Sequence, residues 1–233
     1  GAFIAFLFAK FHQRVMAIVD HFGLMPIDRA IPRALLGGSF VILLGMLIPQ
    51  TMFWGEYEFD TLSTLAPAST LHHVWPTSGL IGWEMNSTWT CIITGIAKLV
   101  AISLSFGAGY RGGYIFPMFA AGACFGRAIS FVFPICPVQL TTLGMAAALN
   151  VSVTRTPLAT TLILSYLAGE QSALSAILAS SLTALFATSY MPFIKTQVPR
   201  SDIYDSIFCN ENAARIDDHD PHNSLGGEIP GAV

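Results

Sequence analysis

The chain has 233 residues, of which 53% are hydrophobic and only 11% charged, with a net charge of −3. Soluble domains carry roughly 25% charged residues, so this chain has too little polar surface to cover itself in water. That argues against a soluble enzyme and predicts an all-α integral membrane protein, because lipid offers no partner to unpaired backbone groups.

Residues 1–20, GAFIAFLFAKFHQRVMAIVD, predict a first helix that begins apolar and turns amphipathic, ended by Gly23 and Pro26. A run this apolar at the very start of the chain has no charged leader, so it reads as the inside of a helix and the chain as a fragment. The second span covers about 33–49; its apolar core of about 15 residues is short of the roughly 20 that cross a bilayer upright. A polar and aromatic loop follows, QTMFWGEYEFDTL, then a short helix over TLSTLA and a long connection through 67–87. The third span runs from about 88 to 106 and the fourth from 114 to 133, ending at PICP. The fifth covers about 138–153, with Gly144 and several alanines that let neighbouring helices approach closely. Thr156 and Pro157 break it. A short sixth span, LATTLILSYLAG, and a seventh over 171–190, rich in Ser and Ala, complete the apolar region. An amphipathic piece, SDIYDSIFC, and a polar acidic tail over 211–233 that reads as disordered close the chain.

Uneven spans broken by Gly and Pro suit a transporter, in which helix ends meet near the membrane midplane to form a binding site. Charge points to the sign of the solute. From 85 to 169 there is no Asp or Glu, whereas Lys98, Arg111, Arg127 and Arg155 all fall there. Cations without fixed anions fit an anion path better than a cation path. Nothing favours catalysis: there is no GxSxG and no HExxH, and no His or acid is placed to activate a serine in the spans. Cys91, Cys124, Cys136 and Cys209 have neither metal nor disulfide spacing, and adjacent His72 and His73 are no zinc pair. No metal, cofactor or nucleic-acid partner is expected. Asn86-Ser87-Thr88 is a glycosylation sequon.

The loop GAGYRGGYIFPM, 107–118, carries the sharpest signal. Gly112 and Gly113 precede an apolar helix with Pro117 in its first turn, where a missing amide costs nothing. The N–H groups of Tyr114, Ile115 and Phe116 would then point out of the helix start. With the helix dipole they make a region of partial positive charge suited to a small anion that must also leave.

GYRGGYIFPMFAAGACFG resembles the G-x-F-x-P segment of the CLC family of chloride channels and chloride/proton antiporters, although Ile115 stands where the family has Phe. Three further stretches agree in order: FWGEYEF at 53–59, LGMAAALNVSVTRTPLATTLIL at 143–164, and DIYDSIF at 202–208. The resemblance covers residues 1–210 and implies the second inverted repeat of the CLC fold, with short, broken and tilted helices. It implies chloride held by the amides of Tyr114, Ile115 and Phe116 and by the hydroxyl of Tyr204, and a homodimer in the complete protein. Segments like the family's G-S-G-x-P and G-x-E-G-P, the latter with its gating glutamate, have no match here. Half the anion site is therefore outside this chain, and the resemblance implies that this half alone does not transport. Channel and antiporter both stay open, and so does a half-protein that works with a partner chain.

Overall fold

The computed structural model describes residues 1–24, 29–52, 62–63, 80–110, 112–169 and 171–190. Among them are seven α-helices, all within one unit, Gly1–Phe193: α1 (Ala2–His21), α2 (Ala30–Leu47), α3 (Thr88–Gly107), α4 (Ile115–Val132), α5 (Val138–Thr154), α6 (Pro157–Leu167) and α7 (Leu174–Ala187). A 3₁₀ turn, Pro49–Thr51, follows α2, and another, Gln171–Ala173, leads into α7. No strand occurs among the described residues. The loop 53–59, the amphipathic piece at 201–209, the tail and most of TLSTLA lie outside them.

The predicted spans match these helices closely, with two corrections. The second span begins at Ala30 and is 18 residues long, about 27 Å at 1.5 Å per residue. Pro32 does not delay it, because a proline in the first turn gives up no intrahelical bond. The seventh expected span is divided, its first residues forming the 3₁₀ turn. Four helices, α1 to α4, are long and apolar enough to cross a membrane.

Local chemistry sets the ends. Ser87 caps α3: its Oγ accepts from the Thr90 N–H at 3.3 Å, while its own N–H donates to Thr90 Oγ1 at 3.1 Å, a reciprocal pairing that satisfies two orphan donors. Pro157 opens α6 two residues after Arg155, whose φ of 61° closes α5 in the left-handed region.

The helix α4 lies at the centre. One face, with Phe119, Ala120, Ala123 and Cys124, packs into a core shared with Leu143 and Ala147 of α5, Leu164 of α6 and Ile177 of α7. The other, with Met118, Ala121 and Phe125, meets Leu99 and Ile102 of α3, Leu149 of α5 and Ala5 of α1. Its contact with α5 is the most extensive among the described helices. Two glycines one turn apart make that contact possible. A methyl added at Gly122 would lie 2.5 Å from Ala146 Cα, and one at Gly126 would lie 2.5 Å from Thr142 Cα. This is the small-xxx-small seam by which membrane helices bring their backbones together. Ser180 of α7 then donates to the Gly144 carbonyl of α5 at 2.6 Å. Intrachain packing thus takes up one stripe of α7, Ile177, Ser181 and Ala184, and leaves Leu182 and Phe186 exposed.

Two arginines brace this framework. Arg127, 1% exposed, donates from Nε and Nη2 to the Met85 carbonyl at 3.1 and 2.9 Å. It fixes α4 to the segment that precedes α3. Arg155, half-buried, donates to the carbonyls of Leu185 and Thr188 at the C-terminal end of α7 and so caps a neighbouring helix.

Gly126→Val should lower the thermal midpoint of the purified protein in detergent sharply, since overpacking a tight seam costs about 1–3 kcal/mol or more; Gly144→Ala, whose added methyl would be 3.7 Å from Ser180 Oγ, should be close to neutral in the same melt. Arg127→Met should also lower the midpoint, because the Met85 carbonyl would keep only the weak Cys91 thiol donor and a hydrogen bond to a charged group is worth about 1.5–3 kcal/mol.

Candidate functional site

The site is built where the loop after α3 turns into α4. Of the loop's glycines, Gly109 is the one whose backbone demands glycine: its φ is +85°, and the Arg33 guanidinium from α2 packs on it. Tyr110 follows and donates its hydroxyl to the Ala34 carbonyl of α2 at 2.8 Å, with its ring end against Gly38. The loop is thereby pinned to α2. Gly112 and Gly113 are exposed, with open space where a side chain would stand; their lack of side chains leaves the approach to the helix start clear.

Tyr114 is the N-cap of α4, and its side chain makes no capping hydrogen bond. The first bond of the helix runs from the Met118 N–H to the Tyr114 carbonyl at 3.0 Å. The amides of Tyr114, Ile115 and Phe116 precede it, in the positions that an α-helix cannot satisfy from within. Pro117 supplies no donor. The positive end of the α4 dipole is therefore concentrated on a few amides beside two side-chain-free residues.

A cavity of about 240 Å³ opens at this point. Gly112, Gly113, Tyr114 and Pro117 form one wall; Lys98 and Ser105 of α3 and Thr51 of the 3₁₀ turn form others. No acidic side chain belongs to its described lining. Lys98 is 3% exposed, and its Nζ donates to the Gln50 and Thr51 carbonyls, each at 3.2 Å.

The residues singled out in the sequence are brought together in part. Gly112, Gly113 and Tyr114 line the cavity. Ile115 and Phe116 send their side chains into the core beside Phe119 and Met85, so any part they take in a site falls to their main chain. Tyr204 and Arg111 lie outside the described residues. Sequence reasoning passed over Lys98 as a site residue. The signal was present: it stands midway along α3 rather than at an end, where a lysine stem would reach the interface.

No group of three or more His, Cys, Asp or Glu able to hold a metal occurs among the described residues. The arrangement offers main-chain donors, a dipole and a buried cation, which suit binding of an anion. No curated protein and no solved structure matches the chain. Residues 1–189, however, match the family described as voltage gated chloride channel. The chain therefore belongs to that family, an integral, multi-pass membrane family of chloride transport.

Proposed function

We propose that the start of α4 is one half of a chloride-binding site in a CLC-type pore, with the amides of Tyr114, Ile115 and Phe116 and the hydroxyl of Tyr204 replacing water around the ion. The observation that carries this reading is the cavity at the helix start, walled by Gly112, Gly113 and Tyr114, with no acid in its described lining. Partial charges favour an anion over water only modestly, so the ion enters and also leaves. The phenol adds a neutral donor and offsets part of the dehydration cost. A CLC-type pore takes a second set of donors from segments of the G-S-G-x-P and G-x-E-G-P kind, and in this reading the protein pairs as a homodimer in which each subunit has its own pore.

A second reading is a half-protein that acts with a partner chain carrying the G-S-G-x-P and G-x-E-G-P segments, which have no match in these 233 residues. Expressing the chain alone and with a chain that carries those segments separates the two readings: flux only from the pair supports the partnership.

Crystals of the full-length protein soaked in bromide should give an anomalous peak between residues 114–116 and Tyr204; a peak elsewhere, or none, overturns the site. Tyr204→Phe should weaken chloride binding about three- to tenfold, the worth of one neutral hydrogen bond, read by calorimetric titration. Reversal potentials under a pH gradient distinguish the two transport modes: a shift with pH means exchange with protons, and a fixed value means a channel.

A further inference from the structure

We propose that Tyr110 is a positioning residue of the chloride site: by tying α2 to the glycine loop it fixes the width of the cavity at the start of α4, and so the size of anion that the cavity prefers. The inference deepens the chloride reading above and rests on it.

The cavity has two kinds of wall. Those from α3 and α4 belong to helices that bury a core face. The wall from α2 does not: among the described residues, neither apolar core includes one from α2, and within that helix only Gly45 is buried. What holds α2 in place is an inner stripe of small residues. A methyl added at Gly37 would collide with Ala108 at the end of α3, and one at Gly45 would collide with Met52 beside the 3₁₀ turn. Val41 stands one turn from each glycine and lines the cavity between them. Close contacts of this kind are not directional, so they leave a helix free to tilt or slide.

Tyr110 supplies a directional contact at the loop end. Its Oη donates to the Ala34 carbonyl at 2.8 Å, the usual length for such a bond. The same side chain lines the cavity beside Gly112 and Gly113, so it joins an outer helix to the ion's approach. At ~30 Å³ per water, a cavity of about 240 Å³ holds a halide with part of its hydration shell. A small retreat of α2 would therefore admit a wider ion. Selection among ions of equal charge depends on the dimensions of the site and the groups that line it, and the tyrosine sets the first of these. Tyr110 is 47% exposed, so its hydroxyl can be removed without hollowing a core.

The test is flux of chloride, bromide and iodide by the full-length protein in liposomes, for the wild type, Tyr110→Phe, Gly38→Ala and the double variant. Halides share charge and shape, so their ratios follow ionic radius. Tyr110→Phe should melt like the wild type, raise the iodide-to-chloride permeability ratio about threefold and raise the chloride KM by a similar factor, as fits one neutral hydrogen bond. A methyl added at Gly38 would lie 2.6 Å from Tyr110 Oη but 3.7 Å from Cζ. Gly38→Ala therefore displaces the hydroxyl while leaving room for the ring, and it should shift the ratio in the same direction. In the Tyr110→Phe background it should add nothing, because the atom it displaces is gone. An unchanged ratio and KM in Tyr110→Phe overturn the proposal, even where maximal flux falls, since a merely structural loss moves only that. A Gly38→Ala shift that persists in the Tyr110→Phe background also overturns it. If Tyr110→Phe does not fold, an unchanged ratio in Gly38→Ala does so. Failure of the chloride reading itself looks different: the wild type would show no saturable chloride flux.

Discussion

Everything in this protein depends on how closely α4 can lie against α5. With glycine at 122 and 126, the two backbones meet at Ala146 and Thr142 without an intervening side chain. The contact is strong for a membrane setting, where lipid is as apolar as the helices and association relies on close packing. It also leaves α4 free to bury both of its remaining faces, one toward α6 and α7 and the other toward α1 and α3. A helix held this firmly along its length has a fixed N-terminus. The cavity, the glycine-lined approach and the Tyr114 cap inherit their positions from that seam.

Three cations of the helical framework follow a common rule. Lys98, Arg127 and Arg155 all donate to main-chain carbonyls of segments distant in sequence. Such contacts tie side chains on one helix to the main chain of another segment, so each cation cross-links parts of the fold that are far apart in sequence.

Much of this was legible in the sequence. The apolar runs between Gly and Pro gave the helices, and GGYIFP gave the start of α4, because glycine, proline and hydrophobic length each act locally. Less was legible where the physics is long-range. The grip of Arg127 on Met85 spans 42 residues, and nothing local in either segment foretells it. Gly122 and Gly126 stand in a readable small-xxx-small pattern, yet only the facing Ala146 and Thr142 reveal which helix they meet. The composition of Ile115 and Phe116 could not say which way their side chains turn; packing against Phe119 decides it. The second helix takes in Ala30 to Pro32, ahead of the apolar run from which its start was read, because a proline in the first turn gives up no intrahelical bond.

The capping of α7 by Arg155 has a consequence for how the protein is made. Helices of 11 and 14 residues reach only about 17 and 21 Å, well short of a hydrocarbon core of about 30 Å. Left alone in lipid, the last carbonyls of α7 would have no donor. Because the donor comes from the end of α5, neither short helix is suited to leave the translocon by itself. They should partition into the bilayer as one hairpin-like group with α5, and biogenesis of this region becomes a concerted step rather than a span-by-span one.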